Sequence, residues 1–279
     1  MKSTKVFILF LLLHACFSKR TNAAVIDTVV THSAAMHKNI KAVVIMPADY
    51  STGKRLPVLY LLHGYSGNYS DWITKVPALK DLADNYHLMI VCADGNFAGW
   101  YFDSPVNKES QYETYVATEL VKYIDTHYTT IADRKSRAIT GLSMGGHGAL
   151  FIAFKHQDVF GAAGSMSGGV DIRQFSDRFG IEQVLGKYSE FPERWQENSV
   201  VNMLYLIKPN SLAITFDCGC DDMMYASNQN LHELMLYRKI PHDYTVRPGG
   251  HSWEYWANSI FYQVMFFSKY FDDSASVKR

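Results

Sequence analysis

Gly141-Leu142-Ser143-Met144-Gly145 sets one hydroxyl between two glycines, each two residues away. A serine hydroxyl is a poor nucleophile at neutral pH and needs a base to take its proton. Alone the spacing is a weak signal, since average glycine and serine usage yields such a pentapeptide in roughly one chain of this length in ten. Its flanks give it weight: the apolar run 137–140 precedes it, and a run of helical length, 144–155, follows. A serine on a sharp strand-to-helix turn stands above the sheet edge. The glycines relieve side-chain clashes, and the helix aims its positive end at the hydroxyl. Ser143 is the candidate nucleophile.

In sheets built around such a turn, the acid follows the serine and the histidine follows the acid. Among the downstream histidines, His156 and His232 fall within helical patterns and His242 starts a strand. His251 stands instead in Arg247-Pro248-Gly249-Gly250-His251-Ser252-Trp253, a glycine-rich loop after the last strand, and is the expected base. The acid belongs just past the penultimate strand, where Asp217, Asp221 and Asp222 occur. Asp217 is still on the strand. Asp222 sits where such a turn presents its carboxylate, with Asp221 as the alternative, whose other role is to cap the following helix. Two backbone N–H groups complete the chemistry as an oxyanion hole, one from Met144 and one from Tyr65. His63, beside that second donor, is assigned a structural role.

Short apolar, β-branched runs recur at 25–31, 40–46, 57–62, 88–93, 137–140, 162–165, 211–217 and 244–247. From the third onward, amphipathic stretches such as 115–127, 144–155, 227–238 and 253–270 fill most of the gaps. Strands apolar on both faces that alternate with helices indicate a parallel sheet covered on both sides. The first two runs have no helix between them and predict an antiparallel hairpin. No internal repeat or linker divides residues 25–279, so one domain is expected. The region of about 170–208, rich in aromatics including Trp195, reads either as a partial cap over the strand ends or as a surface excursion with its own apolar cluster.

The chain has 279 residues, 48% hydrophobic and 19% charged, with zero formal net charge. That composition supports one large core, and without a basic stripe there is no electrostatic footprint for nucleic acid. Lys2 and Lys5, the apolar run 6–13 and the small residues Ala23 and Ala24 follow the order of a secretory signal, here residues 1–24. The protein is therefore expected to be secreted or periplasmic, with a lipid anchor at Cys16 as the alternative. No run reaches the roughly 20 residues of a spanning helix. Cys92, Cys218 and Cys220 lack disulfide or metal spacing. No metal or organic cofactor is expected, and a homodimer is compatible with the sequence.

"LLHGYSGNYSDW", "YETYVATELVKYID", "GLSMGGHGALFIAFKHQDVFGAAGSMSG", "DCGCDDMMYASNQNLHELM" and "GGHSWEYW" together resemble the esterase D-like family of α/β-hydrolases. That family includes feruloyl, acetylxylan and tributyrin esterases, S-formylglutathione hydrolases and the antigen 85 mycolyltransferases. The resemblance implies a mostly parallel eight-stranded sheet with helices on both faces and a small cap. It also implies a Ser143–Asp222–His251 triad with the N–H groups of Tyr65 and Met144. A serine carboxylesterase acting on feruloyl or acetyl esters of plant polysaccharide, or on short acyl esters, is the expected function. Trp100, Tyr101, Trp195 and Trp253 are the expected substrate-binding aromatics. Rival expectations are a thioesterase of the S-formylglutathione type, a secreted acyltransferase and a catalytically silent carbohydrate-binding protein.

Overall fold

The computed structural model describes residues 24–50 and 53–276; the expected signal segment and Cys16 lie outside them, apart from Ala24. Eight strands form one sheet: β1 (Val25–Ser33), β2 (Lys38–Met46), β3 (Val58–Leu62), β4 (Met89–Ala93), β5 (Arg137–Gly141), β6 (Ala162–Met166), β7 (Ala213–Gly219) and β8 (Asp243–Arg247). Their order across the sheet is β1-β2-β4-β3-β5-β6-β7-β8. The β1–β2 and β2–β4 pairs are antiparallel and the other five are parallel. Each predicted run is a strand. The central strands β3 to β6 are buried at every position, as strands covered on both faces must be, whereas the edge strand β1 alternates only in its second half.

Helices cover both faces. They are α1 (Asp71–Lys75), α2 (Leu79–Tyr86), α3 (Tyr112–Thr114), α4 (Val121–His127), α5 (Met144–Lys155), α6 (Glu182–Leu185), α7 (Pro192–Glu197), α8 (Tyr225–Tyr237) and α9 (Trp253–Ser276). A π-helical stretch, Tyr115–Leu120, joins α3 to α4, so the predicted helix starts one turn earlier than its apolar pattern does. On one face, Val58, Tyr60, Leu62 and Ile139 pack against α5 and the α3–α4 run. On the other, Leu59, Leu61 and Ala138 meet α2 and α9 through Leu82, Ile260 and Phe267. The alternation of strand residues between the two clusters is the period-two geometry of a strand. The last helix runs on past the predicted 270 to Ser276, with Phe271 still buried. None of the described helices is long and apolar enough to cross a membrane.

One buried carboxylate ties the last helix to the sheet. Asp217 on β7 accepts hydrogen bonds from Ser259 Oγ (2.6 Å), Gln263 Nε2 (2.8 Å) and Tyr255 Oη (2.9 Å), all on α9. Gln263 Oε1 in turn accepts from Thr140 Oγ1 on β5 at 2.8 Å. Burial pushes the Asp217 carboxyl above its ordinary value, against the pull of these donors and of Arg247. Asp217 is thus an internal fastener, as its place within a strand suggested.

Between β6 and β7 the chain forms short helical turns, including α6 and α7. Trp195 and Phe175 are buried among them, while Phe179 reaches out to meet Tyr65 edge-on with ring centroids 5.5 Å apart. The segment's apolar side chains join the core cluster between the sheet and α5 rather than forming one of their own, and one aromatic, Phe179, reaches toward Tyr65.

Candidate active site

The backbone at Ser143 explains the glycines. Ser143 takes φ 53° and ψ −116°, a conformation L-residues rarely adopt, between the end of β5 and the first residue of α5. Such a turn forces Gly141, Gly145 and the end of β3 together. A Cβ on Gly141 would lie 2.6 Å from the Gly145 carbonyl carbon, and one on Gly145 would lie 2.5 Å from the carbonyl oxygens of Leu62 and His63. No side chain fits at either place. Residues Met144 to Phe154 of α5 are all buried, so the helix is fixed on all sides.

His251 follows β8 on the loop that opens α9, and its ring reaches Ser143. Its Nε2 lies 2.9 Å from Ser143 Oγ, and its Nδ1 lies 2.9 and 3.0 Å from the two carboxylate oxygens of Asp222. A carboxylate only accepts, so Nδ1 carries the proton and Nε2 offers its lone pair to the serine hydroxyl. Asp222 is held on the turn after β7 by its own N–H to Gly219 O (3.2 Å) and by the Met224 N–H to its Oδ1 (2.8 Å). Burial alone would raise its carboxyl. The hydrogen bond and charge of His251, with the Met224 N–H, hold it below the ordinary carboxylate value instead. Asp221 is exposed, so of the two neighbouring carboxylates it is Asp222 that faces the imidazole. The Trp256 ring stands perpendicular to His251 with centroids 4.9 Å apart and backs the imidazole from behind.

Across from the serine, the loop after β3 is braced from three sides. The Gly95 N–H donates to His63 Nε2 at 2.8 Å, which leaves Nδ1 to donate to Gly64 O at 2.8 Å. Burial keeps this imidazole below its ordinary pKa, and with both nitrogens committed it is a tether rather than a base. Tyr101 Oη donates to His63 O, Trp72 Nε1 to Leu62 O, and the Ser66 N–H to Phe97 O. The Tyr65 and Met144 N–H groups donate to no protein acceptor among the described residues. For Met144 this is the ordinary state of a first-turn helical N–H.

The cleft beside Ser143 has a volume of about 200 Å³, and its walls include Tyr65, Phe179, Trp253, Trp256 and Asp71. Of the four aromatics expected to touch substrate, Trp253 lines it. Trp100, Tyr101 and Trp195 do not: they are 1%, 0% and 0% exposed. Each satisfies its polar atom on backbone inside the protein, Trp100 Nε1 on Phe179 O and Trp195 Nε1 on Gly186 O, so they serve as core braces. Trp256 and Phe179 line the cleft in their place. Trp256 was legible as the partner of Trp253 three residues earlier on one helix face; Phe179 carried no such signal.

His147, one turn after Ser143, was passed over in the sequence. It is fully buried against Trp100, Phe102 and Phe151, with Nε2 at 2.9 Å from Asn198 O. Burial pushes its pKa from 6.5 down to about 4. A histidine that must stay neutral when folded contributes no penalty above its unfolded value. Stability falls as pH drops below 6.5 and levels off below about 4. The linkage amounts to roughly 2.5 kcal/mol between pH 7 and 4.5. In His147→Gln the loss of urea stability between those two pH values is expected to be smaller than in the parent by about that amount.

A mostly parallel eight-stranded sheet with a serine on a strained strand-to-helix turn is the architecture of an α/β-hydrolase. The chain belongs to the esterase family, whose family model matches residues 33–267. It is similar to an acetyl esterase of Caldicellulosiruptor saccharolyticus, 26% identical over 82% of this chain and 92% of that one. It is also similar to an endo-1,4-beta-xylanase/feruloyl esterase of Xylanibacter ruminicola, 33% identical over 55% of this chain but only 23% of that longer one. Among solved structures, a ferulic acid esterase superposes with a TM-score of 0.77 at 29% identity, covering 89% of this chain and 98% of the other. The protein is a carboxylic ester hydrolase.

Proposed function

We propose that Ser143, His251 and Asp222 form the catalytic triad of an exported esterase that removes feruloyl or acetyl groups from plant polysaccharide. The observation that carries this reading is the unbroken line of hydrogen bonds from Asp222 through His251 to Ser143, opening into an aromatic-walled cleft. As the serine oxygen attacks the ester carbonyl, His251 Nε2 takes its proton and Asp222 stabilises the resulting imidazolium without accepting the proton. The N–H groups of Tyr65 and Met144 receive the developing oxyanion, each donor worth about 3 kcal/mol of barrier. His251 then protonates the leaving alcohol. Water, activated by the same imidazole, releases the acid from the acyl-enzyme. No step calls for a metal or organic cofactor.

The cleft supports this choice of acyl group. Its volume of about 200 Å³ lies below the roughly 300–1,000 Å³ of sites for drug-sized ligands, and its walls are aromatic. A single-ring or two-carbon acyl group suits it, and a long fatty chain does not. The names of the acetyl esterase and feruloyl esterase relatives support the same range. The charged, apolar and small residues of 1–24 support an extracytoplasmic setting, where polysaccharide substrates occur.

A panel of methyl ferulate, acetylated xylan, tributyrin and p-nitrophenyl palmitate tests the proposal. Methyl ferulate or acetylated xylan is expected to be turned over with the highest kcat/KM, and the palmitate ester at least about 100-fold more slowly, a gap of about 2.7 kcal/mol in transition-state binding. Activity confined to short glycerides would reject the polysaccharide reading.

A further inference from the structure

We infer that the protein carries a second saccharide-binding site, separate from the cleft, in a hollow between the C-terminal half of α5 and residues 197–208. The hollow has a volume of about 560 Å³, against about 200 Å³ for the cleft, and shares no lining residue with it. Its size lies within the range of small-ligand sites. Phe151, Phe154 and Met203 are buried behind its wall, and the half-buried Leu206 supplies an apolar patch. Tyr205 stands at its side with 70% of its surface exposed, a large aromatic face turned to solvent.

Of the polar side chains around the hollow, Gln157 and Asn198 are hydrogen-bonded within the protein, and four others are uncommitted. Asp158, Glu197, Lys208 and the Tyr205 hydroxyl line the hollow, and their side chains have no hydrogen-bond or ion-pair partner within the described residues. The remaining cation, Lys155, is already paired with Glu113 and lies over the Phe151 ring, 4.6 Å from its centroid. Two carboxylates and one free ammonium present no field of a single sign, so neither a polyanion nor a polycation is favoured. What the site offers is an aromatic face, the apolar patch of Leu206 and separate acceptors and donors at the rim. That set complements a neutral, hydroxyl-rich ring with an apolar C–H face, which is the chemistry of an unsubstituted sugar residue.

The inference extends the polysaccharide reading of the cleft: the same helix bears Ser143 at its N-terminus and this hollow at its other end. Along α5 the hollow's lining residues Phe151 to Lys155 lie about 12 to 18 Å from Ser143. A polymer held here would remain attached while its ester substituents were removed.

Titration calorimetry of Ser143→Ala with xylohexaose, and with cellohexaose as a second neutral chain, tests the site. Binding of at least one oligosaccharide at millimolar concentration is expected, weakened at least fivefold when Tyr205→Ala is added. In the active background, Tyr205→Ala is expected to hydrolyse p-nitrophenyl acetate at the parental rate, which shows that the fold and cleft are intact. No binding by Ser143→Ala, or a loss smaller than fivefold on adding Tyr205→Ala, would overturn the inference. Methyl ferulate turnover by the unsubstituted protein is read separately. The cleft assignment therefore stands if only the sugar site fails, and sugar binding remains measurable if the acyl specificity is wrong.

Discussion

Replacing Ser143 by alanine is expected to lower kcat for p-nitrophenyl acetate by about 10⁵-fold or more while the protein stays folded. The size of the effect follows from the geometry. The Ser143 hydroxyl is the group His251 Nε2 contacts, and no other hydroxyl, thiol or amine among the described residues hydrogen-bonds that imidazole. Alanine keeps a Cβ and faces the same φ of 53°, so it neither relieves nor adds backbone strain, and thermal unfolding should move little. Residual rate above water would then come from the oxyanion donors and from binding alone. A fluorophosphonate probe should label the parent at Ser143 and leave the variant unlabelled. A folded Ser143→Ala protein that kept more than a few per cent of the activity would remove Ser143 from the mechanism. Failure of the parent to label would instead favour a silent binding protein.

Asp222→Asn should cost about 10³–10⁴-fold in kcat, and Asp221→Asn less than about threefold. The two side chains are neighbours in sequence and isosteric after substitution, so the comparison isolates position. Asp222 accepts from His251 Nδ1 through both oxygens, which fixes the proton on Nδ1 and the lone pair on Nε2. An asparagine amide can present N–H to the same nitrogen, turning it into an acceptor. Nε2 then carries the proton and meets the serine hydroxyl as a donor, the wrong tautomer for a base. Because His251 and the Met224 N–H hold the Asp222 carboxyl below its ordinary value, it stays ionised at mildly acidic pH, and its protonation does not set the acid limb near neutrality. Steady-state kinetics on both variants with one activated ester would decide. Equal losses would mean the orienting carboxylate has been misassigned.

Much of this arrangement was legible because the relevant constraints are local. Strands β3 to β6 read clearly since burial on both faces demands apolar residues at every position. Ser143 read clearly because a turn at positive φ between a strand and a helix that nearly touch requires glycine at Gly141 and Gly145. The choice between Asp221 and Asp222 was not local. On a tight turn adjacent side chains diverge, and the contacts of both Asp222 oxygens with His251, beside an exposed Asp221, show which one turns inward. The aromatics failed for a related reason. Trp100 and Tyr101 sit near a strand end, where a ring looks the same in sequence whether it faces substrate or core. The acceptors that draw them inward, Phe179 O and His63 O, lie 79 and 38 residues away. Long-range partners leave no periodic trace.

The Asp217 fastener has a consequence for biosynthesis. Chains emerge from the ribosome N-terminus first. The proposed nucleophile, acid and base therefore appear in that order, at Ser143, Asp222 and His251. In the strained turn the Ser143 N–H donates to Met166 O, and Ser143 O accepts from the Gly169 N–H. That turn and the braced loop after β3 draw on contacts made before about residue 170, and they can form while the rest of the chain is still being translated. His251 is different. Its loop is pinned on one side by β8 and on the other by α9, and α9 docks only when Tyr255, Ser259 and Gln263 reach Asp217. A nascent chain thus holds a shaped nucleophile with no oriented base. On the proposed triad, hydrolysis can begin only when the 24-residue α9 closes on the sheet.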